Sequence, residues 1–183
     1  MNNGEIWMSY DLIDENFVRV VKANQGAAVI FAGSESDEEH ICKIIEGLER
    51  YGIAHDLRIC SAHKQPLELH ALLTKYQELP GALVIIAVAG ATDALSGVVS
   101  FHSLHPVISC PPDAPNQSSL SNPSGSSNLY LARPGDVGRA VAQMFSHLNP
   151  RYQDLLRKNI SKKREELEKS DYYLGVKFRR RSA

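Results

Sequence analysis

Cysteine is scarce in this chain: three in 183 residues, Cys42, Cys60 and Cys110, an odd number without paired spacing. That excludes a disulfide scaffold and a cysteine metal site, and it suits a reducing, cytoplasmic location. Each cysteine lies in or beside an apolar run, so each is expected to be a small buried hydrophobe. Cys60, close to His63, has the alternative role of a thiol nucleophile. Long hydrophobic runs are missing as well. No stretch reaches the roughly 20 apolar residues of a membrane helix. The N-terminus carries Glu5 and Asp11 with no basic start before an apolar core, so no secretory signal is expected. Net charge is only −1, which gives no ground for nucleic acid or membrane partners. A P-loop with lysine, a GxGxxG fingerprint and an HExxH pair are all absent. Their absence disfavours nucleotide hydrolysis, dinucleotide binding and a resident metal.

What is present is a globular composition, 43% hydrophobic and 22% charged, long enough for one domain with a sizeable core. The charge is unevenly placed. Residues 151–183 carry 11 Lys and Arg against 5 Asp and Glu, and residues 1–150 carry 9 against 16. A basic C-terminal arm follows, either solvated or docked on the acidic body of a neighbouring subunit.

Periodicity orders the rest. Leu12, Ile13, Phe17, Val20 and Val21 predict an amphipathic helix over 9–23. Residues 27–32 (AAVIFA) read as a buried strand, and GSESD at 33–37 leads into a helix with Ile41, Ile44, Ile45 and Leu48 on one face. Ser36 and Glu39 fit a capping box at its start. A second strand covers His55 to Cys60. Pro66 then opens a helix bearing Leu69, Leu72, Leu73 and Tyr76. Leu83 to Val88 is apolar throughout, as expected of a central parallel strand. Small residues follow it over 89–97, and a short strand covers Pro106 to Ser109. Residues 113–127 show no period and form a linker or a lid. A fifth strand is expected over 128–132, a helix from Pro134 to Leu148, and a last helix from Tyr152. An apolar patch (Tyr172, Tyr173, Leu174, Val176, Phe178) and the basic run 179–181 close the chain.

This alternation predicts a three-layer α/β fold, a parallel sheet with helices on both faces. The α/β domain is expected over 27–149, with helical extensions over 1–26 and 150–183. Three turns, 33–37, 61–64 and 89–97, each follow a strand and must share the carboxyl edge of the sheet, where ligands bind. They carry Gly33, Ser34, Ser36, Asp37, Ser61, Ala62, His63, Lys64, Gly90, Ala91, Thr92 and Leu95. A histidine suits general acid–base chemistry near neutral pH. Asp37 suits acceptance of hydrogen bonds from ribose hydroxyls, and Ser34 and Ser36 suit a phosphate approached from the side. His102 and His105, three apart but without a third ligand, are expected to be surface or capping residues.

Several motifs in order carry a family resemblance. They are GSESD at 33–37, SAHK at 61–64, AVAG at 87–90 with Leu95 and Gly97 beyond, PVISCPP at 106–112 and NPSG at 122–125. With these, the chain from about Ala28 to Leu148 resembles the aminoimidazole ribonucleotide carboxylases of purine biosynthesis, the PurE family. Lys64, PVISCPP, His40 and Lys43-Ile44 look like its class II, which adds carbon dioxide directly to aminoimidazole ribonucleotide. The resemblance implies a flavodoxin-like domain, an octamer and no metal or organic cofactor. It implies His63 as the proton carrier, Lys64 at the carboxylate or phosphate, and Ser61, Ser124 and Gly125 among the substrate contacts. The chain departs from the family pattern at Ala91, Thr92 and Asp93, where arginine, serine and asparagine are usual, and at Ser121-Asn122. The loop before Ser118 is short. The loss of cations and the added Asp93 are expected to weaken anion binding. The alternatives are a carboxyaminoimidazole ribonucleotide mutase, a related enzyme on another ribonucleotide, and a catalytically silent binding or assembly relative.

Overall fold

The structure is a computed structural model that describes residues 13–179, without the side chain of Arg179. Five parallel strands form one sheet: β1 (Ala27–Ala32), β2 (Ala54–Ile59), β3 (Leu83–Val88), β4 (Val107–Ser109) and β5 (Leu129–Tyr130). Their spatial order is β2-β1-β3-β4-β5. Register is continuous across the centre, with Ala27 opposite Ala54 on one side and Leu83 on the other. β1 and β3 are buried along their whole length, which accounts for their unbroken apolar sequences. β2, at the edge, keeps Leu57 and Ile59 partly exposed.

Seven α-helices complete the described chain: α1 (Glu15–Lys22), α2 (Glu38–Arg50), α3 (Pro66–Gln77), α4 (Leu95–His102), α5 (Gln117–Leu120), α6 (Val137–Met144) and α7 (Pro150–Arg179). Alternate strand residues face opposite layers. Ala28, Ile30, Val84, Ile86 and Ile108 meet Ile44 and Leu48 of α2 and Val137 and Val141 of α6. Val29, Phe31, Ile85, Ala87 and Val107 meet Phe17 and Val21 of α1, Leu69 and Leu73 of α3, and Val99 of α4. The predicted three-layer α/β architecture is the observed one.

Local differences have local causes. α1 starts at Glu15 because Asp14 caps it, accepting from the Phe17 N–H at 2.9 Å. Residues 9–12 of the expected helix lie outside the described residues. β5 is two residues long, against the five expected. The 113–127 segment contains α5, a single turn capped by Asn116, whose Oδ1 accepts from the Ser119 N–H at 3.1 Å. Asn116 was its signal in the sequence. Cys42 is exposed, contrary to expectation, because it falls on the outer face of α2, whereas Cys60 and Cys110 are buried.

Two close approaches hold the outer helices. Gly47 of α2 and Gly138 of α6 touch backbone to backbone: a Cβ on Gly138 would overlap the Gly47 carbonyl. α7 is pinned near its start by Tyr152, fully buried, whose hydroxyl donates to Gly26 O at 2.9 Å. Tyr152→Phe removes that hydroxyl and leaves the buried Gly26 carbonyl without its donor. A loss of about 1–2 kcal/mol is expected, read by urea unfolding. Further along, residues 161–178 are exposed except the half-buried Gly175. One continuous helix of 30 residues thus carries both the expected terminal helix and the apolar patch. Of the basic run 179–181, residues 180 and 181 lie outside the described residues.

Candidate active site

The order β2-β1-β3 means that the chain leaves β1 in one direction and β3 in the other. The crevice between them, at the carboxyl edge, is the topological switch point of such a sheet. A cleft of about 130 Å³ lies there. It is lined by Gly33, Ser34, Asp37, Ser61, Ala62, His63, Ala89, Gly90, Thr92, Ala94 and Leu95.

The first wall is the turn after β1. Ser34 Oγ accepts from the Ser36 N–H at 3.2 Å and from the Ser36 hydroxyl at 2.9 Å. A 3-10 turn, Glu35–Asp37, intervenes before α2. The expected capping box is therefore not formed. Asp37, not Ser36, precedes α2, and its side chain makes no cap bond. Glu39 reaches forward to Lys43 at 2.6 Å, the neighbour one helical turn on. Asp37 is left to line the cleft.

The second wall follows β2. The Cys60 N–H extends the sheet, donating to Ala32 O at 2.8 Å. The turn then closes on itself: Gln65 N–H to Ser61 O at 2.8 Å, and Lys64 N–H to Ser61 Oγ at 3.3 Å. His63 stands at the tip, exposed to solvent and to the cleft. The Cys60 thiol points elsewhere, donating to Gln65 O at 3.7 Å, and burial lifts its pKa to about 11. A protonated thiol at neutral pH is no nucleophile, so that alternative falls.

The third wall, after β3, is the least regular. Ala91 takes the left-handed conformation, φ 54°, rare for a residue with a Cβ. Its N–H donates to Asp113 Oδ2 at 2.8 Å, and its carbonyl accepts from Asn116 Nδ2 at 2.9 Å. Hydrogen bonds from Asn116 and from the Ala91 N–H hold the Asp113 carboxyl below its usual range. Asp93 turns inward, to 4% exposure, and accepts from the Ser96 N–H at 2.9 Å and the Ser119 hydroxyl at 2.6 Å. Asp93 borders the larger cleft, but its carboxylate is engaged by the start of α4 and by the facing loop.

The structure separates some of the sequence-derived residues. Ser36, Lys64 and Ala91 belong to the same three turns but are not among the lining side chains. Lys64 is exposed beside His63. Ser124 lines a second, larger cleft of about 550 Å³, which shares Thr92 and Ala94 with the first and includes Phe101, His102 and Asn122. Gly125, at φ 89°, packs against the Phe101 ring and lines neither. Sequence reasoning missed Asp113, Asn116 and Ser119, which hold the third wall. His40 also ties α2 to the rim, its Nε2 lying 2.9 Å from Cys110 O. Among the described residues no group of three or more His, Cys, Asp or Glu could hold a metal ion. No described helix is long and apolar enough to cross a membrane.

His102 is exposed at the end of α4. His105 is half-buried, and its Nε2 has no hydrogen-bond partner among the described residues. Burial lowers its pKa below the ordinary 6.5. Below that value the unfolded chain takes up the proton first, so stability falls as pH drops from about 6.5 towards the folded pKa. Urea unfolding at pH 7.5 and 5.5 should show a smaller acid loss in His105→Leu than in the unmodified chain.

A parallel sheet of this order, with a histidine, an aspartate and hydroxyls lining a switch-point cleft, defines a flavodoxin-like α/β protein with a candidate small-ligand site. Comparison with known proteins narrows the class. Residues 27–166 match the family described as AIR carboxylase, and the chain belongs to that family. It is 35% identical over 124 residues to the phosphoribosylaminoimidazole carboxylase of Treponema denticola, covering 64% of this chain and 78% of the relative. It is 33% identical over 150 residues to that of Archaeoglobus fulgidus, covering 79% and 82%. The human bifunctional phosphoribosylaminoimidazole carboxylase/phosphoribosylaminoimidazole succinocarboxamide synthetase is 33% identical over 159 residues. That match covers 83% of this chain but only 37% of the human protein, and the Drosophila melanogaster counterpart is covered over 28% of its length. The crystal structure of Treponema denticola PurE superposes with a TM-score of 0.77 at 30% identity, covering 81% of this chain and 98% of the other.

Proposed function

We propose that this chain is an aminoimidazole ribonucleotide carboxylase acting in purine biosynthesis, joining carbon dioxide to the ring carbon of its substrate in a reversible step. The observation that carries the reading is that His63, Asp37 and Gly90 line one switch-point cleft in a chain of the AIR carboxylase family. The amino-substituted imidazole is an enamine-like carbon nucleophile, so the protein need supply none. Its task is to hold carbon dioxide over the ring, chiefly a matter of positioning. Once the new carbon–carbon bond forms, the same ring carbon carries a proton that must leave, and His63 takes it. In reverse, His63 returns that proton as carbon dioxide departs.

Asp37 accepts from the ribose hydroxyls. Ser34 and Ser61 meet the phosphate, with Ser36 behind them donating to the Ser34 hydroxyl, while Gly33, Ala62, Gly90, Thr92 and Leu95 shape the wall. Lys64 supplies the cation, swinging in from the rim to the phosphate or the new carboxylate. Ser124 and Gly125 belong to the loop beyond the larger cleft. No metal or organic cofactor enters this scheme. The reading includes a cytoplasmic homo-octamer, supported by the exposed aromatic end of α7, where Tyr172 is 76% and Tyr173 65% accessible.

The test is turnover of aminoimidazole ribonucleotide in bicarbonate buffer without nucleoside triphosphate. Carboxylated product is the expected result. Binding of the ribonucleotide without turnover would point to the silent relative, and neither binding nor turnover would overturn the reading.

A further inference from the structure

The unusual triplet Ala91-Thr92-Asp93 carries a function of its own. Thr92 is the residue common to both clefts together with Ala94, and it stands between two gripped neighbours. Ala91 is bonded on both its N–H and its carbonyl, and Asp93 on both carboxylate oxygens. Three of these four bonds come from one segment, and the fourth comes from the Ser96 N–H of α4. Asp113 and Asn116 hold Ala91, Ser119 holds Asp93, and Asn116 caps the turn that presents Ser119. Asn128 reinforces it, donating to Ser119 O at 3.1 Å. The carboxylate acceptors, Asp113 for the Ala91 N–H and Asp93 for Ser96 and Ser119, make those bonds stronger than a neutral acceptor would. Their joint effect is to hold Ala91 in a conformation it would otherwise leave.

We propose that Asp93, acting through the Ser119 clamp, is a positioning residue that fixes Thr92 as the specificity-determining hydroxyl at the junction of the two clefts. The ligand then meets a hydroxyl dipole at this wall, while the Asp93 carboxylate, which borders the larger cleft, is held by Ser96 and Ser119. This goes beyond the carboxylase reading but rests on it for the identity of the ligand. Residues 113–119 thereby become part of the binding apparatus although none of them lines the smaller cleft and only Ser118 lines the larger.

The experiment uses the full chain with Asp93→Ala, Ser119→Ala, Thr92→Val and the double variant Asp93→Ala/Thr92→Val. Amide hydrogen exchange in residues 90–94 is expected to accelerate about tenfold or more in Asp93→Ala and Ser119→Ala, with the central strands unchanged. KM for aminoimidazole ribonucleotide should rise about tenfold in Asp93→Ala and in Thr92→Val, kcat changing far less. The double variant should be no worse than the worse single one, because both act through one hydroxyl. Multiplying KM effects, or unchanged exchange at 90–94, overturns the proposal. Should the unmodified chain neither bind nor turn over the ribonucleotide, the carboxylase reading falls, and the exchange result still decides whether the clamp exists.

Discussion

His63→Asn is expected to lower the carboxylation rate by about 10²–10⁴-fold, the usual contribution of a positioned acid–base group, while KM changes less than threefold. Asparagine is close in size and keeps hydrogen-bonding capacity, so the turn over 61–65 should survive. That turn is closed by Ser61 and Gln65, not by the imidazole. The exposed setting of His63 means that little packing is lost. A rate loss without a change in melting temperature would therefore isolate the proton transfer. A variant with wild-type kcat would remove His63 from the mechanism and move attention to Asp37 as the other ionisable side chain of the smaller cleft.

Gly138→Ala is expected to be among the most damaging single-methyl changes in the chain. Helix propensity favours the alanine by up to about 1 kcal/mol. Against that stands a Cβ placed onto the Gly47 carbonyl and amide chain, with backbone, not a flexible side-chain tip, in the way. α2 and α6 must separate, and both pack on the same core layer as Ile44, Leu48, Val137 and Val141. Overpacking of this kind typically costs about 1–3 kcal/mol and more when backbone must move. The collision therefore wins, with a net loss of about 2 kcal/mol and a melting temperature lower by about 4–8 °C. Gly135→Ala is the control. Its added methyl meets nothing within 4 Å, so less than about 0.5 kcal/mol is expected. If the two variants melt together, the helix contact is not as close as drawn.

Much of this molecule was legible in its residues because the central strands are extreme. AAVIFA and LVIIAV have no polar position to expose, so they had to be covered on both faces, and the turns that follow had to share an edge. Once that edge was fixed, Asp37, His63 and Gly90 converged by topology alone. The details that escaped are those decided by tertiary partners. Ser36 and Glu39 have capping-box spacing, but Lys43 offered Glu39 a better neighbour. The bonding of Asp93 was not legible, because nothing local shows that Ser119, 26 positions on, supplies a buried donor to it. β5 came out short because its pairing with β4 involves only Ile108 with Leu129 and Ser109 with Tyr130.

The length of α7 has a hydrodynamic consequence. Thirty helical residues span about 45 Å at 1.5 Å per residue, and among the described residues the rod is held near its start, around Tyr152, Leu155 and Leu156. A lone protomer would therefore tumble and sediment with more friction than a sphere of 20.2 kDa, and would elute early from a sizing column. Association that folds the rods against neighbouring copies removes that drag, so frictional ratio and mass should fall and rise together as subunits join.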